Sequence, residues 1–219
     1  MRQLPILSDT SASTPRRRRM IVTVSGLHGT GKSTYAALLA KGLKLRHVSA
    51  GVLFRRIAKD RHVSLEDFGN SALEDPTIDR LIDEETMKEA ERGDVVIDGQ
   101  LAGWVLREKS DLRIYLTAPN DVRLARIARR DGLELDEAKR QTAQRERVQL
   151  ERFRRHYGLN VEDKSIYHLV LDTSILSIGE TANVLIMTAR GVRSRILKGV
   201  QASLKLRSGR ASRVLRGRK

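Results

Sequence analysis

The stretch Gly26-Leu27-His28-Gly29-Thr30-Gly31-Lys32-Ser33 constrains this chain more than any other. A β-branched apolar run at 20–24 precedes it and helix formers at 34–40 follow it. Strand, tight loop and helix N-terminus in that order turn a G-x-x-x-x-G-K-[ST] match into a phosphate-binding loop. Loop N–H groups and the positive end of the helix dipole face one point, which suits a di- or triphosphate. On this reading Lys32 reaches the outer phosphates and the Ser33 hydroxyl ligates Mg²⁺.

The rest of the chain alternates between strand and helix. Strands are predicted at 45–48, 95–99, 112–117 and 166–171, and helices at 76–92, 136–157 and from 177 to about 190. Ser64 opens a further helix, Asn120 caps another, and Asp131-Gly132 breaks the latter. This alternation predicts an α/β fold, a parallel five-stranded sheet with helices on both faces and right-handed crossovers. Ligands of such sheets sit at the carboxyl ends of the strands, where the phosphate loop and Asp98 both lie.

Two clues refine the chemistry. Val95-Val96-Ile97-Asp98 is an apolar strand ending in a carboxylate, the form of a motif that helps hold Mg²⁺. Arg123, Arg126 and Arg130 share one helical face, and Arg145 and Arg152 are seven apart on the next helix. A single Arg on a helix is usually solvated surface. Two Arg-rich helices joined by a short Gly-containing loop could instead form a hinged lid over a transferring phosphoryl group. No base–nucleophile pair stands out, and none is needed if the acceptor is itself a phosphate.

Composition narrows the classes. No Cys is present, which excludes disulfides, thiol nucleophiles and zinc–thiolate sites. No apolar run reaches the roughly eighteen residues of a membrane span. The formal charge of +15 sits in the ends, with +4 in residues 1–19 and +11 in residues 190–219, so 20–189 is neutral. Three segments are expected: a disordered basic extension at 1–19, or sequence upstream of a start at Met20; a phosphate-binding α/β domain at 20–189; and a basic tail at 190–219. Val192, Ile196, Leu197, Val200 and Leu204 keep helical spacing over about the first half of that tail, which allows the closing helix to continue past Arg190, and beyond Lys205 the tail reads as disordered.

Several motifs in one order carry a resemblance over about residues 20–185. They are the phosphate loop, Ser49-Ala50-Gly51-Val52-Leu53-Phe54-Arg55, and Asp98-Gly99-Gln100-Leu101-Ala102-Gly103-Trp104. Further on come 123–132, the helix from Arg145-Glu146 to Arg152, Tyr157-Gly158 and Ser165-Ile166-Tyr167. Together they resemble the archaeal-type cytidylate kinases, a group of the nucleoside monophosphate kinases. The resemblance implies transfer of the ATP γ-phosphate to CMP or dCMP, with a mobile acceptor domain and a short lid. By the same resemblance the loop from Gly26 through Thr34 holds ATP, and Lys32 stabilises the transferring group. Ser49, Gly51, Arg55, Asp98, Gly99 and Gln100 face the acceptor. Arg126 and Arg130 match lid-side arginines, and Arg145 and Arg152 match the pair that clamps both phosphoryl groups. One departure stands out: the family usually has Arg where this chain has Gln100, an amide that hydrogen-bonds but adds no charge.

Rival readings stay open. The same reaction could use UMP, AMP or a small metabolite such as shikimate, or the chain could be a phosphate-loop ATPase associated with nucleic acid. A GTPase is disfavoured because no Asn-Lys-x-Asp motif is present. About a dozen residues separate Arg130 from Arg145, too few for a long lid, which favours a pyrimidine acceptor. The expectation is a cytoplasmic monomer with nucleotide substrates, no membrane contact, and weak RNA contact through the basic tail.

Overall fold

The computed structural model describes residues 19–216, with side chains described for 19–198. The extension expected at 1–19 therefore lies, apart from Arg19, outside the described residues. The elements run β1 (Ile21–Gly26), α1 (Lys32–Leu43), β2 (Arg46–Ser49), α2 (Ala50–Asp60), α3 (Leu65–Glu74), α4 (Pro76–Arg92) and β3 (Val95–Asp98). Then follow α5 (Ala102–Val105), β4 (Leu112–Thr117), α6 (Asn120–Asp131), α7 (Leu135–Tyr157), β5 (Leu169–Asp172) and α8 (Ile178–Arg216).

The five strands pair in the order β2-β3-β1-β4-β5, all parallel. Strand β3 shows why the central strands read as unbroken apolar runs. Val96 packs with Tyr35 and Leu39 of α1 and Leu185 of α8, while Val95 and Ile97 meet Ala90 of α4 and Ala102 of α5. Helices therefore cover both faces, and both faces of a parallel strand must be apolar. Gly42 lets α8 approach α1, since a Cβ there would lie 2.5 Å from Ile186 Cδ1.

Helices α2, α3 and α4 form a second cluster around the buried Phe68, with Ala58, Ala72, Ile78 and Ile82. Their starts follow simple capping chemistry. Ser64 accepts from the Asp67 N–H, and Asp75 accepts from the Thr77 N–H ahead of a first-turn proline, Pro76. Helix α7 lies against both α3 and α6, so it bridges this cluster and the sheet.

Three expectations need correction. Strand β5 starts at Leu169 rather than 166, because Ile166 and Tyr167 turn into an apolar cluster with Tyr115 and Trp104. Asn120 is the first residue of α6, not its cap, and its Oδ1 accepts from Arg123 Nη2 at 2.7 Å. Helix α8 does not stop near 190. It runs to Arg216, so the boundary expected at 189/190 falls inside a helix and the residues after Lys205 are helical. Among the described residues no helix is long and apolar enough to cross a membrane.

Candidate active site

The phosphate loop joins the carboxyl end of β1 to the first turn of α1. Gly31 takes a left-handed conformation, φ 84°, immediately before the helix. Helix α1 has no side-chain cap and no acidic residue in its first turn. Its N-terminal N–H groups and dipole thus lack a protein anion, which leaves them to a phosphate. Gly29 is also required sterically, since a Cβ would lie 2.5 Å from the Arg123 carbonyl oxygen. Thr30 is buried, and its hydroxyl donates to Leu27 O at 2.8 Å, so it shapes the loop from within. Lys32 Nζ donates to the same carbonyl at 2.9 Å. Desolvation pushes its pKa down to about 8, with Asp98 opposing the shift. Ser33 and Thr34 lie exposed on the first turn.

Asp98 closes the other side of the crevice. Its carboxylate accepts from Ser33 Oγ at 2.8 Å and from Ser49 Oγ at 3.1 Å, and His47 Nε2 lies 2.6 Å from its other oxygen. Parallel pairing of Ser49 with Asp98 brings these strand ends together. The structure thus joins the two residues expected to hold Mg²⁺. A hydroxyl and a carboxylate at a strand end fit that ion, which binds few protein oxygens and completes its shell with waters and substrate phosphates. Among the described residues no group of three or more His, Cys, Asp or Glu could hold a metal by itself.

The arginines divide into two sets. The face expected to present Arg123, Arg126 and Arg130 is largely engaged within the protein. Arg123 is buried, pairs with Glu146 of α7 at 2.7 Å and donates to His28 O at 2.6 Å. Arg126 donates to Thr173 Oγ1 at 2.9 Å and Thr173 O at 2.8 Å, and reaches Gly29 O at 3.4 Å. Arg130 pairs with its neighbour Asp131 at 2.7 Å. Arg145 differs. It has no hydrogen-bond or ion-pair partner among the described residues, and burial, then Arg130 and Arg55, pull its pKa down. It also acts electrostatically on both Lys32 and His28. Lys32, Arg130 and Arg145 thus all act on His28 of the loop, and Arg55 acts on Arg145, so positive charge gathers at this point.

Arg152 is not brought to that point. It is buried with its Nε 3.2 Å from Asp79 Oδ2, and its guanidinium lies 5.2 Å from the Phe54 ring centroid and 5.1 Å from that of Phe153. His156 Nδ1 contacts the same Asp79 oxygen at 3.2 Å, and Tyr157 donates to Asp83 Oδ2 at 2.7 Å. Desolvation raises Asp83 to about 6. Seven helical residues separate Arg145 from Arg152, about 10 Å along α7.

On the acceptor side, Ser49 caps α2 by accepting from the Val52 N–H, and Gly51 lies one turn before Arg55 with the Arg55 guanidinium beside it. Gly99 packs on Ala50, where a Cβ would come within 2.9 Å of the Ala50 Cβ. Gln100 Nε2 lies 3.2 Å from His28 Nε2, which is 2.8 Å from Gln149 Oε1. His28 is held well below its usual pKa, first by burial and then by Lys32, Arg145 and Arg130. His47, Gln149 and Thr173 lie among these residues without any signature in the sequence. Only their partners, found by strand pairing and helix packing, reveal them.

Residues 21–175 match the model of the cytidylate kinase-like family. A cytidylate kinase of Staphylothermus marinus is 43% identical over 166 residues, covering 76% of this chain and 94% of that protein. One of Aeropyrum pernix is 47% identical over 167 residues, covering 76% and 97%. Among solved structures, a shikimate kinase of Bacteroides thetaiotaomicron superposes with a TM-score of 0.53 at 16% identity, covering 80% of this chain and 98% of that one. A gluconokinase of Sinorhizobium meliloti does so at 0.52 and 14%, covering 86% and 99%. These two likenesses concern the fold, whereas the family match runs through the phosphate loop, Asp98 and both arginine helices, and so the chain belongs to the cytidylate kinase-like family.

Proposed function

We propose that the protein transfers the γ-phosphoryl group of ATP to CMP and dCMP, giving CDP or dCDP and ADP. The observation that carries this reading is an uncapped helix N-terminus with Lys32 in its first turn and Arg145, without an ion-pair partner among the described residues, close enough to act on both Lys32 and His28. An oxygen of the CMP phosphate forms a bond to the γ-phosphorus, and the bond to the β–γ bridging oxygen breaks, leaving its electron pair on ADP. The attacking oxygen is already anionic at neutral pH, so the chain needs no general base. Its task is to hold two polyanions in line and offset the charge shared between them.

The loop from Gly26 to Thr34 receives the ATP phosphates, with Lys32 at the transferring group and Arg145 over it. Ser49, Gly51, Arg55, Gly99 and Gln100 border the acceptor at the ends of β2 and β3. Ser33 and Asp98 would hold Mg²⁺, which neutralises the β- and γ-oxygens when bound. The relatives' identity as cytidylate kinases and the three-residue connection 132–134 between α6 and α7 support a pyrimidine acceptor. With purified protein, CMP should exceed AMP in kcat/KM by at least tenfold, and ATP turnover should require Mg²⁺. A higher efficiency for AMP would overturn the assignment.

The basic segment supports a second property, weak contact with RNA. Residues 190–219 hold eleven Lys or Arg and no acid, and α8 carries them as a helix to Arg216. The helix stays docked through Ala189 and through Arg193, which donates to Leu43 O at 3.0 Å. A neutralised chain with Lys205, Arg207, Arg210, Arg213 and Arg216 changed to Gln should therefore keep its kinase activity. It should lose RNA retention at low salt, and wild-type binding should fall steeply as salt rises. Equal retention by both proteins would sink the idea.

A further inference from the structure

His28 is the one titratable side chain within the phosphate loop besides Lys32, and phosphoryl transfer as described leaves it without a task. Its surroundings are specific. Its backbone oxygen accepts from Arg123 Nη1 at 2.6 Å, and the same guanidinium nitrogen donates to Glu146 of α7 at 2.7 Å. Its imidazole Nε2 meets Gln149 Oε1, three residues further along α7, at 2.8 Å. One loop residue thus reaches the same turn of α7 by two routes, and Arg145 begins that turn.

The chemistry of the ring decides which contact is real. Nε2 carries either a hydrogen or a lone pair, so it cannot donate to the Gln149 oxygen and accept from the Gln100 nitrogen at once. Burial and three neighbouring cations keep the ring neutral, with a single N–H. The shorter contact, 2.8 Å against 3.2 Å, assigns that hydrogen to Nε2 and its acceptor to Gln149. Two donors do not stay in contact, so the Gln100 amide turns its nitrogen away from His28, which frees its hydrogens to bond an oxygen of the acceptor nucleotide.

We infer that His28 and Gln149 are positioning residues: the Nε2–H···Oε1 bond seats α7 against the phosphate loop, registers Arg145 over the transfer point, and leaves the Gln100 amide for the acceptor. Arg145 has no protein partner among the described residues, so its place depends on how its helix is seated. A neutral tie suits this place, because a cation at 28 would add to the charge of Lys32, Arg130 and Arg145. The inference rests on the kinase reading of the site.

Three measurements on the full chain test it. Gln149→Met keeps the length of the side chain and removes the acceptor. It should lower kcat about tenfold while KM for ATP and for CMP stays within about twofold, since register affects the transition state more than ground-state binding. His28→Leu should do the same, and the double variant should be no slower than His28→Leu alone. Imidazole ¹⁵N chemical shifts of the wild type should show the Nε2–H tautomer for His28, and Gln149→Met should move those resonances. A kcat of Gln149→Met within twofold of wild type, additive losses, or an Nδ1–H tautomer would each overturn the inference. If His28→Leu fails to fold, Gln149→Met and the spectrum still decide. The spectrum requires no turnover, so in a chain inactive toward CMP it still tests the His28–Gln149 bond, while that inactivity overturns the kinase reading and with it the role in transfer.

Discussion

Lys32→Ala is expected to cut turnover by two to three orders of magnitude or more and to leave the melting temperature nearly unchanged. The ammonium is preorganised, since Leu27 O holds Nζ at 2.9 Å within a loop fixed by Gly29 and Gly31. Removing one such contact with a developing charge costs on the order of 3–4 kcal/mol in the barrier. The fold should tolerate the change because Asp98 keeps Ser33, Ser49 and His47 as partners. Desolvation adds a pH signature. In the nucleotide-free protein Lys32 loses its proton as the pH rises through about 8, so kcat/KM for ATP should fall there. Bound phosphates favour the charged form, so kcat should hold to higher pH than kcat/KM does. A profile of kcat/KM flat to pH 10, or an unfolded Lys32→Ala, would show that this lysine serves the fold and not the chemistry.

Much of the architecture was legible because the signals were local. The apolar positions of β1, β3 and β4 are close-set, and in β3 both faces are apolar because helices cover both sides. The phosphate loop was legible for the same reason: glycines, lysine and helix formers follow one another without a gap. What escaped reading was decided by distant pairings. The start of β5 depends on Ile166 and Tyr167 packing against Tyr115, fifty residues away in sequence, which no local periodicity encodes. The end of α8 was misplaced because a segment rich in Lys, Arg, Ser and Gly, with few apolar positions at helical spacing, reads alike as helix and as unstructured tail. At the site, three arginines on one face of α6 looked equivalent. Tertiary contacts give Arg123 to Glu146 and Arg126 to Thr173, and Arg130 turns to its neighbour Asp131.

The same separation within α7 gives the last expectation, that Arg145→Ala and Arg152→Ala fail in different ways. Periodicity places both on one face of the helix, yet that face looks onto two environments about 10 Å apart. Arg145 is half-buried, unpaired among the described residues and repelled by Arg130 and Arg55. Its removal relieves repulsion, so Arg145→Ala should melt at or above the wild-type temperature. On the proposed reading its charge is matched by the transferring phosphoryl group, so kcat should fall by about 10³-fold with little change in KM for CMP. Arg152 is 4% exposed and faces Asp79, itself 5% exposed. Truncating one partner of such a pair leaves a carboxylate desolvated, with His156 as its remaining basic contact, and costs about 3 kcal/mol. For a chain of this size that lowers the melting temperature by roughly 6–12 °C. Activity per folded molecule should fall far less than in Arg145→Ala. Calorimetry beside steady-state kinetics separates the two. An Arg152→Ala protein with wild-type melting and a 10³-fold loss of kcat would return this residue to the phosphate clamp. A pure KM effect in Arg145→Ala would reduce that residue to ground-state binding.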